Sequence, residues 1–222
     1  PEALQLAAEN GFAEADPSLD VEGFDAAFKL TILSYHAFGI ALNPYDIFRI
    51  GITKILPEDS VYAKQNNCRI KLFAAAIGDE EKSVFVCPTI VPNSETASAA
   101  SNEYNAVVVQ SAFGTEQLLY GKGAGRFPTA SAVLSDISAL RYGYQYEYKK
   151  AKLDIKVTLT ENQNHKWFVS SNVKSDIENL TFESLQSFYT KNYAYRIIEC
   201  SIKDIKALHE SNSELSILLV WE

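Results

Sequence analysis

Apolar positions divide the chain into segments of helical spacing and segments of unbroken β-branched or alternating character. Helical spacing predicts helices near 2–9, 24–37, 57–66 and 128–141. Runs rich in Val, Ile, Phe and Tyr predict strands near 69–77, 83–91, 104–112 and 115–120, of which Asn105-Ala-Val-Val-Val109 is the clearest. Helices and strands alternate irregularly. That order predicts an α+β fold in which a mixed β-sheet is layered with helices.

The texture changes near residue 141. Arg141-Tyr-Gly-Tyr-Gln-Tyr-Glu-Tyr-Lys-Lys150 carries four tyrosines and marks the entry to a new unit. Beyond it the pattern predicts strand 152–160, a polar turn at Glu161-Asn-Gln-Asn164, strand 166–171, helix 181–191, strand 194–202, helix 203–211 and strand 215–221. The expected organisation is therefore a first domain over 1–141 and a small ββαβαβ appendage over 142–222.

Composition removes several classes of function. The 222 residues are 47% hydrophobic and 22% charged, ordinary values for a globular protein. A net charge of −8 argues against nucleic acid or an anionic membrane as the main partner. No apolar run reaches the roughly 18 residues of a membrane span, and no signal peptide is visible, so a cytoplasmic protein is expected. Cys68, Cys87 and Cys200 are scattered and odd in number, as are His36, His165 and His209. Neither a zinc spacing nor a disulfide framework is present, and no metal site is expected.

Charge clusters instead around one loop-to-helix junction. Glu14, Asp16, Asp20 and Asp25 fall within twelve positions, interrupted by Pro17 and Gly23, and the run ends at Lys29. The stretch before Gly23 reads as a loop and the stretch after it as a helix. Asp25 and Lys29 are four apart and share a helix face. Such pairs also decorate many solvated faces, where they stabilise by only about 0.2–0.5 kcal/mol. Carboxylates converging on one lysine suit a small zwitterionic substrate with an oxygen to be protonated. Asp16 is assigned to capping the Asp-Pro turn, and Glu22 to solvent.

The whole string resembles the signature of homoserine dehydrogenases, carried here by Ala7, Gly11, Phe12, Ala13, Asp16, Pro17, Asp20, Gly23, Asp25 and Lys29. A second segment, Gly121-Lys-Gly-Ala-Gly-Arg-Phe-Pro-Thr-Ala-Ser-Ala-Val-Leu-Ser-Asp-Ile137, is similar to the glycine-rich return of that family. Phe48-Arg-Ile-Gly-Ile52 and Glu103-Tyr-Asn-Ala-Val107 are family-like as well, and the resemblance covers roughly 1–140. In the return segment, Gly121, Gly123 and Gly125 allow close backbone approach and positive φ. Pro128 opens a helix with Ala130, Val133, Leu134 and Ile137 on one side.

The resemblance implies reversible NAD(P)-dependent interconversion of L-aspartate 4-semialdehyde and L-homoserine, in the biosynthesis of threonine, methionine and isoleucine. It makes Lys29 the proton donor with Asp25 beside it, Glu14 a ligand of the substrate ammonium, and Asp20 a further substrate contact. Gly125 and Gly123 would meet the NAD or NADP cofactor. Phe12 stands where a tyrosine is often found, so a hydroxyl contact is missing. The chain lacks the Gly-x-Gly-x-x-Gly fingerprint of a nucleotide-binding domain. The family carries that domain upstream, so these residues are expected to be the catalytic and C-terminal part of a longer protein, with little turnover alone. A homodimer is expected, because the apolar strand 104–112 would make a poor uncovered edge. Some members carry a C-terminal ACT domain that senses an amino acid; residues 142–222 share its approximate element order but not its ligand-loop pattern, and are expected to be either such a domain or a structural, dimer-forming appendage. The rival reading is a non-catalytic oligomerisation or amino-acid-sensing module.

Overall fold

A computed structural model describes residues 16–111, 113–145, 152 and 157–221. The predicted helix 2–9, the signature residues Ala7 to Ala13, Glu14 and residues 153–156 of the predicted strand 152–160 lie outside the described residues. The fold is α+β, a mixed sheet layered with helices, in agreement with the sequence.

Two compact units arise. The described residues of Pro1–Pro17 and Asn93–Glu147 form one, and those of Ser18–Pro92 and Tyr148–Glu222 form the other. In the larger unit the elements are α1 (Ser18–Val21), α2 (Phe24–Phe38), β1 (Phe48–Arg49), α3 (Pro57–Gln65), β2 (Cys68–Ile77) and β3 (Glu81–Pro92). After the smaller unit follow β6 (Thr158–Leu159), β7 (Asn164–Ser171), α5 (Lys174–Glu178), β8 (Ser184–Tyr189), β9 (Ala194–Ser201), α6 (Ile202–Ser211) and β10 (Ser216–Val220).

β3 is the spine of the sheet. Its first edge pairs antiparallel with β2 from Ser83 opposite Ile77 to Pro92 opposite Cys68. Its second edge is shared by three parallel partners in turn: β6 at Glu81 and Lys82, β1 at Phe85 and Val86, and β10 at Thr89 and Ile90. From β10 the sheet continues antiparallel through β7 and β9 to β8. Pairing of β3 with β10 thus crosses the expected boundary at 141/142, placing strands from both sides of it in one sheet.

The order β7-α5-β8-β9-α6-β10 is βαββαβ, the ferredoxin-like plan, rather than the expected ββαβαβ. The correction lies at 181–191, expected as a helix. Phe182, Leu185, Phe188 and Tyr189 recur at near-helical spacing. In the structure β8 is an edge strand with an irregularity between Ser184 and Gln186, and its residues are mostly exposed. An interrupted edge strand loses the strict alternation that betrays a strand. The helix is instead the short α5.

Alternate residues of the strands serve opposite faces. Phe85, Cys87, Trp167, Val169, Ile217 and Leu219 form one core with Ile177 of α5 and Ile202 and Ile205 of α6. Ile90, Phe168 and Leu218 turn the other way, onto Ala63 of α3. On that second face Val86 packs against Ala27 and Leu30 of α2. Helices therefore cover both faces.

α3 is tied down by a buried carboxylate. Asp59, at the third helical position, accepts from the Leu56 N–H at 2.9 Å. It also accepts from the hydroxyls of Ser170 (2.6 Å), Ser216 (2.6 Å) and Tyr193 (2.9 Å). With four donors, a carboxylate can be buried without an ion-pair partner.

The smaller unit contains a 3-10 turn (Thr96–Ala99), the hairpin of β4 (Tyr104–Ser111) and β5 (Gly114–Lys122), and α4 (Arg126–Arg141). Its β5 is exposed throughout, and α4 buries none of its residues. No helix among the described residues is long and apolar enough to cross a membrane.

Candidate functional site

The acidic junction takes shape from two turns. α1 ends as the Gly23 N–H donates to Asp20 O at 3.2 Å, and Gly23 turns the chain at φ 78°, a left-handed value. The expected loop before Gly23 is thus partly a short helix. α2 then runs for 15 residues, burying Ala27, Leu30 and Ser34. It stops at Gly39, whose N–H donates to Tyr35 O at 2.9 Å. Since the buried stripe is fixed, the residues on the far side, Asp25 and Lys29, must face out.

They meet there. Lys29 Nζ lies 2.7 Å from Asp25 Oδ2, with side chains 55% and 47% exposed respectively. An exposed pair of this kind is weak, at about 0.2–0.5 kcal/mol. Weakness suits a proton donor. The ammonium is oriented by the carboxylate yet can turn to an incoming oxygen at little cost. Asp20 is exposed on α1, apart from this pair, and among the described residues it forms no ion pair with Lys29. Glu22 is exposed, as expected, and accepts from the Thr53 hydroxyl at 3.3 Å.

Sequence reasoning missed what holds the junction. The Ile52 N–H donates to Val21 O at 2.8 Å. A Cβ at Gly51 would lie 2.6 Å from that same oxygen and 2.8 Å from a Glu22 carboxylate oxygen, so only glycine lets this loop close on the turn. Arg49 sits with its guanidinium carbon 3.9 Å from the centre of the Phe24 ring. Phe24, Phe28 and Tyr45 form a ring cluster with centroids 5.9–6.5 Å apart. The run Phe48-Arg-Ile-Gly-Ile52 signalled these positions, through a glycine inside an apolar stretch, without saying what they touch.

The glycine-rich return lies in the other unit. Gly125 (φ 116°) is the N-cap of α4 and supplies no side-chain cap. Pro128 falls in the first turn, where a missing N–H costs nothing. Gly123 makes a close approach: its N–H donates to Glu103 O at 2.8 Å, and a Cβ there would lie 2.0 Å from Asn105 Nδ2. Gly121 needs neither property, since a Cβ would meet open space and its φ is not positive. The apolar side of α4 is exposed, with Val133, Leu134 and Ile137 each more than half accessible.

Beyond the junction, burial pushes the Lys82 amine below its ordinary value, partly opposed by Asp79. This amine donates to Gly78 O and lies 4.1 Å above the Phe38 ring. It serves the end of α2 and not the Asp25–Lys29 pair. No cluster of three or more His, Cys, Asp or Glu among the described residues is placed to hold a metal ion.

The larger unit thus presents an exposed lysine–carboxylate pair on a helix braced by the mixed sheet, and the smaller unit a glycine-led helix. Residues 1–138 match the family model for homoserine dehydrogenase, and the chain belongs to that family. The homoserine dehydrogenase of Mycobacterium leprae is 45% identical over 141 residues, 61% of this chain and 32% of that protein. That of Bacillus subtilis is 42% identical over 140 residues, 63% of this chain and 32% of that protein. The chain thus spans about a third of the length of these relatives. The structure of Staphylococcus aureus homoserine dehydrogenase at pH 6.5 superposes with a TM-score of 0.71 at 31% identity, over 100% of this chain and 58% of that one. The Thiobacillus denitrificans enzyme gives 0.79 at 24% identity, over 100% and 58%, a likeness of fold. The structural likeness therefore extends past residue 138, where the family match ends.

Proposed function

We propose that the protein interconverts L-aspartate 4-semialdehyde and L-homoserine, and that this chain supplies the substrate-binding and proton-transfer half of the site. The observation that carries the reading is the 2.7 Å Lys29–Asp25 pair, standing exposed at the end of the family signature. In the reducing direction the aldehyde carbon gains a hydride and its oxygen becomes an alkoxide. Lys29 gives that oxygen a proton; in the oxidising direction it takes the hydroxyl proton back. Asp25 holds the amine in one orientation, which lowers the entropic cost of the transfer. Glu14 and Asp20 receive the substrate ammonium and neighbouring polar groups.

NADP or NAD supplies or accepts the hydride when bound. A hyperthermophilic archaeal homoserine dehydrogenase whose structure holds NADPH superposes on 65% of this chain with a TM-score of 0.50. Gly125 fits such a ligand. It leaves the first N–H groups of α4 without a side-chain cap, as an anionic group requires. Gly123 keeps the approach to that helix narrow. The rest of the cofactor site belongs to a domain outside this chain, so the isolated 222 residues are expected to turn over little.

The open apolar surfaces of β5 and α4 support a homodimer that covers them. The βαββαβ plan of 164–220 supports a second role for residues 142–222, as an ACT-like sensing part whose strands join the sheet of β3.

The test is homoserine-dependent NADP reduction by the full-length gene product, wild type beside Lys29→Ala, with folding checked by circular dichroism. A loss of about 10²–10⁴-fold with the fold intact is expected. A wild type inactive with both NADP and NAD would favour the non-catalytic module. An unaffected Lys29→Ala would sink the lysine assignment alone.

A further inference from the structure

We propose that Arg49 is a positioning residue for the Asp25–Lys29 pair, acting through Phe24; the inference rests on the role given to Lys29 above. The first turn of a helix lacks intrahelical partners for its N–H groups and frays unless capped. α2 begins at Gly23, which offers no side-chain cap. Asp25 sits in that uncapped turn, and its carboxylate fixes Lys29. Something other than a cap must hold the turn still.

Two residues facing each other across the sheet do so. Arg49 of β1 is the register partner of Val86 of β3. Val86 presses on Gly23, where a Cβ would lie 3.0 Å from Val86 Cγ1. The Arg49 guanidinium carbon lies over the ring of the next residue, Phe24, 3.9 Å from its centre. It cannot drift, because Nη1 also donates to Pro44 O (3.0 Å) and Ile47 O (3.1 Å). The two residues immediately before Asp25 are thereby clamped by one cross-strand pair. The cation over the ring supplies the attraction, and the carbonyl tethers supply the direction.

Arg49 is proposed to act on the pair through Phe24 and to take no proton, so its loss is felt through the placing of Asp25 and Lys29. In the full-length gene product, Arg49→Met is expected to lower kcat per folded molecule roughly tenfold to a hundredfold, as misplacement of a catalytic group does. KM for homoserine should change little, because the interaction lost is made in the transition state. Arg49→Lys, which keeps the cation over Phe24, should recover part of the loss. In a Lys29→Ala background, Arg49→Met should cost nothing further, since residues acting through one group are non-additive. An additive loss there, or an unchanged kcat in Arg49→Met beside an inactive Lys29→Ala, would overturn this inference alone. A fully active Lys29→Ala would overturn the Lys29 assignment and this inference with it. Should Arg49→Met fail to fold, Phe24→Leu in the same two backgrounds gives the same decision.

Discussion

Gly23 and Val86 are in contact through the space where a side chain would be: a Cβ on Gly23 would lie 3.0 Å from Val86 Cγ1. Gly23 also holds φ at 78°. Gly23→Ala meets both obstacles at once. It should destabilise the protein by about 1–3 kcal/mol, read as a lower urea midpoint, and should lower activity by displacing Asp25. A midpoint equal to that of the wild type would show that the strand yields freely.

The carboxylate of Asp59 joins α3 to β7, to β10 and to Tyr193 just before β9. Tyr193→Phe removes one donor and leaves three, so a loss of about 1 kcal/mol is expected. Asp59→Ala strands three buried hydroxyls and should cost at least about 3 kcal/mol. Denaturant titration separates the two. Equal losses would mean that the network has no central member.

Alkali should weaken the fold. Burial pushes the Cys87 thiol from about 9 up to about 12, and burial, then the nearby charge of Asp204, does the same for Cys200. Burial, then the charge of Asp59, also raises the Tyr193 hydroxyl. Each group keeps its proton in the folded state after the unfolded chain has released it. The stability they contribute is therefore complete below about pH 9 and is lost as pH rises towards 12. Urea midpoints should fall from pH 7.5 to pH 10.5, and Cys87→Ala should reduce the slope. Only Cys68, the partly exposed thiol, should react with a thiol reagent before unfolding.

The exposed side of α4 carries Leu134, 63% accessible, between Val133 and Ile137. If a second copy or another domain of the same protein covers it, Leu134→Asp should lower the mass seen by light scattering or expose new apolar surface to a hydrophobic dye. A change in neither would leave α4 a solvated helix.

Much of this was legible because local signals agreed with the fold. α2 is bracketed by two glycines, α3 opens with Pro57, and β2 and β3 are long apolar runs. The Asp25–Lys29 pair follows from helix geometry alone. What could not be read depends on partners distant in the chain. β1 is two residues long and exists because β3 offers it an edge. β8 hides behind near-helical spacing, and Asp59 looks like an ordinary helix-start acid until three distant hydroxyls converge on it. Arg49 shows why a motif match names a position before it explains it.

The second edge of β3 has a consequence for how the chain is made. β1 precedes β3, but the strands that cover Glu81–Lys82 and Thr89–Ile90 come from residues 158–159 and 219–220. During synthesis β3 leaves the ribosome with two stretches of unpaired backbone, and they stay so until a far later part of the message is read. Pairings this distant form slowly. The growing polypeptide therefore carries a sticky, half-finished edge while the residues between β3 and β10 are made, the period in which a chaperone or a misplaced strand would find it.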